Sequence, residues 1–290
     1  MIIIEATGPL TTVQDLGRTG LAHLGVSPSG AADRAAHRLA NRLVGNAESE
    51  ATLEVTLGGL TIRADQMLWV AVTGAPTSLL VNNQPSASHT LLALPPGDRL
   101  AVQPPAYGVR NYVAVRGGIM VPPVLGSRST DLLSGLGPSP LHAGQKLTVG
   151  RAGPPLPGVD LAPPSQPRKT LSITAGPRRD WFTEQAWDDL LHKPWTVSAD
   201  GNRVGVRLTG TTLTRRISTE LPSEGLIRGA VQVPASGEPL IFLADHPITG
   251  GYPVIAVLTD RDADHASQLR PGERIRFMLF GGSRGLPPLL

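Results

Sequence analysis

Leu94-Pro-Pro-Gly-Asp-Arg-Leu-Ala-Val102 has two counterparts further along the chain, Leu141-His-Ala-Gly-Gln-Lys-Leu-Thr-Val149 and Leu269-Arg-Pro-Gly-Glu-Arg-Ile-Arg-Phe277. Each reads as a tight turn, with glycine supplying positive φ, that runs into a strand whose alternate residues face a core. Outward from these turns, β-branched and alternating runs predict strands at 52–57, 60–63, 67–73, 78–81, 110–116, 171–174, 196–198, 230–233, 240–244 and 254–258. Three segments read as helix. In 31–44, Ala32, Ala36, Leu39 and Leu43 recur on one face and Gly45 provides the stop. A second follows Asp180 as cap and ends at Pro194, and a short third lies near 262–269. Strands outnumber helices several to one, so the chain is mainly β: two barrel or sandwich domains with a few short helices.

The repeats fall on both sides of a proline-rich stretch. Pro154, Pro155, Pro157, Pro163, Pro164 and Pro167 lie within fourteen residues and predict a semi-rigid linker over 154–168. It separates an N-terminal domain, 1–153, from a C-terminal domain, 169–290. A length of 290 residues agrees with two domains.

Composition narrows the function. The net charge of +3 comes from an arginine-dominated set in which Lys146, Lys169 and Lys193 are the only lysines. Only 4% of residues are aromatic, and no basic stripe is interleaved with them, which argues against a nucleic-acid surface. The lack of cysteine excludes thiolate nucleophiles and disulfides. The seven histidines show no metal-binding spacing, no P-loop or nucleophile-elbow motif is present, and no Met-Lys-Met sequence offers an attachment point for biotin. Without a basic, apolar leader or a long apolar run, the expectation is a cytoplasmic chain with no membrane contact.

Four polar clusters remain as candidate sites. The first runs from Thr11 through Gln14, Asp15 and Arg18 to Asp33; its glycines would admit an anion to backbone N–H groups, with Arg18 gripping it, or Asp15 and Arg18 simply pair to shut a loop. The second, Gly126-Ser127-Arg128-Ser129-Thr130-Asp131, suits a carboxylate or phosphoryl group, or is a capped turn. The third holds Arg203, Arg207, Ser223 and Glu224. Glu224 is a candidate for proton transfer if burial raises its pKa, and a salt bridge to Arg203 is the alternative. In the fourth, Gln232 is followed by Asp245-His246 and by Gly250-Gly251, a bend that could present Thr249 and Tyr252.

The stretches TTVQDLGRTG, SGAADRAAHRLANRLVGN, LEVTLGG, VRGGI with LGSRSTD, NRVGVRL, PSEGLIRGAVQVPASGEP and ITGGYP, in this order, resemble the family variously called KipA, allophanate hydrolase subunit 2 or the C-type component of ATP-dependent 5-oxoprolinase (PxpC). The chain is also similar to half of the carboxyltransferase domain of urea carboxylase. The resemblance implies two tandem cyclophilin-like β-barrels and an obligate sister chain of the KipI or B type, with the site near their interface. It further implies a third, LamB/YcsF-like component of the A type, and the ATP-dependent opening of 5-oxo-L-proline to L-glutamate. ATP would be a co-substrate bound mainly by a partner. Two other branches are biotin-dependent carboxyl transfer, with biotin on another chain, and a regulator that antagonises a KipI-like partner. By motif, Asp15, Arg18 and Glu224 carry over as candidates for catalysis. Gln14, Asp33, Ser127, Arg128, Ser129, Arg203, Arg207, Ser223, Gln232, Thr249 and Tyr252 carry over for binding an amide or lactam. Pro247-Ile248 and the GLGPSPLHAGQ turn depart from the family pattern.

Overall fold

The computed structural model describes residues 1–281 except Pro154, Pro157, Asp160 and Pro167; those four linker positions and the end of the C-terminal domain, 282–290, lie outside the described residues. The turn glycines of the repeated motif, Gly97, Gly144 and Gly272, have left-handed φ of 91°, 85° and 83°. Each turn leads into a strand: Arg99–Val102, Lys146–Val149 and Arg274–Leu279.

Before the linker, strands form two sheets. One has the order Ile119–Met120, Lys146–Val149, Ile2–Thr7, Leu60–Ala64, Arg99–Val102, Ser78–Val81, Gln84–Ala87. The other runs Leu10–Gln14, Thr52–Thr56, Arg110–Val115, Leu68–Gly74, Leu91–Leu94. Ile2, Ile4 and Ile62 from the first meet Leu53, Val70 and Val113 from the second in one core, and deleting such a side chain to alanine costs about 2–5 kcal/mol. The opposite face of the five-stranded sheet is covered by helix α1, Arg34–Leu43, whose Ala36 and Ala40 pack on Ala71, Tyr112 and Ala114. Covered on both faces, Arg110–Val115 is buried at every position and shows no alternation.

After the linker, seven strands close into a barrel: Thr170–Ala175, Val254–Leu258, Ala230–Gln232, Leu240–Phe242, Gly205–Thr209, Trp195–Val197 and Arg274–Leu279. The last pairs parallel with the first and completes the ring. The mainly β architecture is thus as anticipated, with closure by hydrogen bonding in the C-terminal half and a two-sheet arrangement in the N-terminal half. The described part of the linker lies along the first unit, where Leu161 bridges Thr90 and the Ala162 N–H donates to the His89 carbonyl at 3.0 Å.

Helix α1 starts three residues later than its apolar pattern suggests. Ser29 and Gly30 are left-handed (φ 51° and 90°), which no helix accommodates, and Asp33 caps the helix by accepting from the Ala36 N–H at 2.9 Å. The second helix, α2, spans Glu184–His192 and is capped by Thr183 rather than Asp180, which lies in the 3-10 turn Arg179–Trp181. The third, α3, is Asp260–Ala266, capped by Thr259. Among the described residues, no helix is long and apolar enough to cross a membrane.

Candidate functional site

Thr11, Thr12 and Gln14 were expected in a glycine-rich loop; they lie instead in the buried strand Leu10–Gln14. β-branched Thr11, Thr12 and Val13 favour the extended chain, and hydrogen bonds satisfy the polar side chains. Gln14 donates through Nε2 to the Thr12 hydroxyl (3.1 Å) and the Thr130 carbonyl (2.9 Å), so it ties the strand to the loop around residue 130.

The strand delivers Asp15 to that loop. Its Oδ1 accepts from the Ser127 and Ser129 hydroxyls, both at 2.6 Å, and from the Gly17 N–H at 2.8 Å; Oδ2 accepts from the Arg128 N–H at 2.6 Å. Burial would raise the carboxyl pKa, yet these four donors outweigh it and hold Asp15 below the usual carboxylate range. The first and second clusters therefore form one structure, with Asp15 as its internal anion. Arg18 does not pair with Asp15. It is only 2% exposed and donates from Nε to the Val124 carbonyl at 3.0 Å and from Nη2 to the Ser129 carbonyl, while Nη1 has no hydrogen-bond partner among the described residues. The Arg128 side chain turns away and donates to the Val121 carbonyl at 3.0 Å.

Arg203 is tied into a buried ion-pair network that joins the two halves. It donates from Nε and Nη2 to the two oxygens of Asp245, both at 2.9 Å, from Nη1 to Glu54, and from Nη2 to the Gly30 carbonyl at 2.7 Å. Glu54 also accepts from the Ala32 N–H (3.0 Å) and the Tyr112 hydroxyl (2.8 Å) and lies 3.5 Å from Arg110. Burial opposes the charge of both Arg203 and Glu54. For Arg203 the fields of Glu54 and Asp245 outweigh it and raise the pKa above its ordinary value; for Glu54, Arg203 and Arg110 do so and lower it. Asp245 accepts from the Ser29 hydroxyl (2.6 Å) and the Leu132 N–H (3.0 Å) as well, so a single carboxylate ties the loops around residues 29, 132 and 203 together. Glu54, Arg110 and Tyr112 were not candidates from sequence. For Glu54 the available signal was a charge in a strand whose neighbours are all apolar or β-branched; Arg110 and Tyr112, on either side of Asn111, carried no such signal.

Glu224 departs from both readings of it. It is half-exposed, and it pairs with Arg178, whose Nε donates to the two carboxylate oxygens at 2.9 and 3.0 Å. Arg178 lowers its pKa instead of burial raising it. The residue pair Glu224–Gly225 forms a short ladder with Thr249–Gly250, and Gln232 donates to the Tyr252 carbonyl at 2.8 Å. Glu224, Gln232, Thr249 and Tyr252 therefore converge at one end of the barrel, with Arg215 at 5.8 Å from the Tyr252 ring centre. Ser223, Thr249 and Tyr252 are exposed there. Arg207 is exposed on the barrel strand Gly205–Thr209.

Asp33 stands apart from the anion loops. Besides capping α1 it accepts from Gln268 Nε2 at 2.8 Å, and burial and the nearby Asp264 raise its pKa to about 6. Most guanidiniums and carboxylates of the conspicuous motifs thus hold loops in place, and hydroxyls, main chain and Tyr252 are left to face outward.

Residues 24–279 match the family described as carboxyltransferase domain, subdomain A and B. The chain belongs to this family. It is 38% identical to the C-type component of 5-oxoprolinase from Escherichia coli (strain K12), over 96% of this chain and 91% of that protein. The crystal structure of TTHA0988 superposes with a TM-score of 0.87 at 36% identity, covering 96% of this chain and 55% of that one, so this carboxyltransferase-family chain spans about half of it. The Kluyveromyces lactis urea carboxylase superposes with a TM-score of 0.88 at 31% identity, over 97% of this chain and 27% of that one.

Proposed function

We propose that the chain is the C-type component of an ATP-dependent 5-oxoprolinase, which hydrolyses the lactam amide of 5-oxo-L-proline to give L-glutamate. The observation that carries this reading is the 38% identity to the corresponding 5-oxoprolinase component, which extends over 91% of that relative. The geometry supports a site completed by another chain. Asp15 and Arg203 have their hydrogen bonds committed inside the fold, and Arg18 is buried with only Nη1 left without a partner among the described residues, while Ser223, Thr249 and Tyr252 are exposed. The loops that carry these groups also expose Leu24, Leu125, Leu132, Leu133 and Ile227, apolar surface of the kind that protein partners cover. In this reading a B-type partner docks over these loops, and an A-type partner joins them; ATP is bound mainly outside this chain.

The test is ATP-dependent glutamate formation from 5-oxoproline by the purified chain alone and with its B-type and A-type partners. Activity is expected only from the full set. Turnover by the chain alone overturns the composite site, and no turnover by the full set overturns the lactam assignment. A second reading is favoured by the urea carboxylase superposition over 97% of the chain: a carboxyltransferase component served by biotin on another chain. Incorporation of labelled bicarbonate into urea, with no glutamate formed from 5-oxoproline, selects it.

A further inference from the structure

Helices α1 and α3 flank a cleft of about 520 Å3 where the two halves meet, away from the anion loops. One wall is apolar, built from Ala35, Ala36, Leu39, Ala75, Pro76 and Leu269, with Tyr107 at its side. The inner end carries two carboxylates. Asp264 accepts from the Arg34 and Ala35 N–H groups (2.9 and 3.3 Å) and from Arg228 (2.5 Å), and Asp33 accepts from Ala36 and Gln268.

The rim is cationic apart from Glu273, which also lines the cleft and accepts from the Arg270 N–H at 3.1 Å. Arg42 is neutralised by Glu48 at 2.6 Å, but Arg168 and Arg261 also line the cleft and make no hydrogen bond or salt bridge among the described residues. Both act on the same neighbour: after burial, the largest effect, they push the His265 pKa down, against Asp262 and Asp264. Two unpaired guanidiniums beside one imidazole thus face a volume in the range that takes whole organic ligands, roughly 300–1,000 Å3.

We propose that this cleft binds a nucleoside phosphate, with the phosphate between Arg168 and Arg261 and an amino-bearing base against the apolar wall. Two guanidinium forks match the charge and geometry of a phosphate dianion, whereas a monocarboxylate would leave one cation uncompensated. The gradient from cationic rim to acidic floor fixes the orientation. The phosphate is repelled from Asp33 and Asp264, and the same acids accept hydrogen bonds from an exocyclic amine. The proposal concerns this chain by itself and does not rest on the reaction assigned above.

The experiment is calorimetric titration of the full chain with AMP, adenosine and inorganic phosphate, without partners. AMP is expected to bind, and adenosine and inorganic phosphate each to bind at least about tenfold more weakly, because each keeps one half of the recognition. R168A/R261A is expected to weaken AMP by at least about tenfold, and A35W, which fills the cleft from an exposed position, to abolish binding. Unchanged melting curves show that both variants fold. No AMP binding at millimolar concentration, inorganic phosphate binding as tightly as AMP, or undiminished AMP binding by folded R168A/R261A or A35W overturns the proposal. Loss of 5-oxoprolinase turnover with AMP binding intact would count against the reaction and leave the cleft assignment standing.

Discussion

Replacing Arg203 with methionine separates a structural role for this guanidinium from a ligand-binding one. Methionine fills much of the same volume and carries no charge. The Arg203 side chain is 1% exposed, as is Glu54, and Asp245 is fully buried. In R203M, Asp245 keeps only the Ser29 hydroxyl and the Leu132 N–H, both uncharged, while Glu54 keeps Arg110 at 3.5 Å. One buried carboxylate is then left without its ion-pair partner, a situation that costs about 3–5 kcal/mol. At roughly 2–4 °C per kcal/mol for a chain of this size, melting falls by about 6–20 °C.

The pH dependence supplies the signature. In the parent chain Glu54 has a lowered pKa, so its contribution is present above the unfolded value and lost as pH falls. R203M removes the cation that most lowers this pKa, so the gap between the two proteins in urea melts is full above 4.5 and narrows as pH falls below it. A loss below about 1 kcal/mol, or a gap that narrows with rising pH, refutes the network as a clamp. Lost turnover with unchanged stability would return Arg203 to the substrate.

D15N removes the anion that four donors converge on and should cost about 1–3 kcal/mol at pH 7. Because the Asp15 pKa is lowered, that stability is present above the unfolded value and disappears as pH falls, so urea melts of the two proteins converge in acid. Asp33 behaves oppositely. Its pKa is raised from 3.8 to about 6, so its contribution is intact below 3.8 and gone above 6; D33N, which mimics the protonated form, flattens the stability profile between these values. Gly137 has φ 86°, and a Cβ there would lie 2.0 Å from the Ser129 carbonyl oxygen, so G137A should destabilise the Asp15 loop by about 1–3 kcal/mol in thermal melts. E224Q leaves stability unchanged, since its pair with Arg178 is solvent-screened. As Arg178 holds the Glu224 pKa below its ordinary value, the pH–rate profile of the reconstituted complex should show no inflection from Glu224 between pH 5 and 8.

What could be read from the chain was whatever short-range stereochemistry decides. The three glycine turn motifs became three strands because a glycine at positive φ and the alternation after it are local properties. Helix α1 was visible in its apolar spacing, but its start was not. Ser29 holds a left-handed conformation supported by hydrogen bonds to Thr130 and Asp245, which lie 101 and 216 positions away. Arg203 illustrates the same limit. Its partners, Glu54 and Asp245, are 149 and 42 residues distant, and no local pattern distinguishes a guanidinium that will meet two acids from one that awaits an anion. The exposure of Glu224 was not legible either. Burial depends on which loop covers it, and the sequence between Arg178 and Glu224 does not show that these two meet.

The buried network also explains why a chain with so many polar motifs keeps so few of them free. An apolar replacement of similar volume is often as stable as a buried ion pair, whereas a half-broken pair is costly, so the network penalises misplacement more than it adds net stability. Glu54, Ser29 and Gly30 come from the first unit and Arg203 and Asp245 from the second, so a shift between units breaks several charge-assisted bonds at once. Asp245 extends that constraint through Leu132 to the loop that Asp15 organises, and its own loop leads to Thr249 and Tyr252. Positional error at one end of this path is therefore felt at the other, which is what the proposed partner surface would require. Partner docking on the exposed loops should then protect the amides of residues 127–132 and 245–250 together in hydrogen exchange, and R203M should uncouple the two sets.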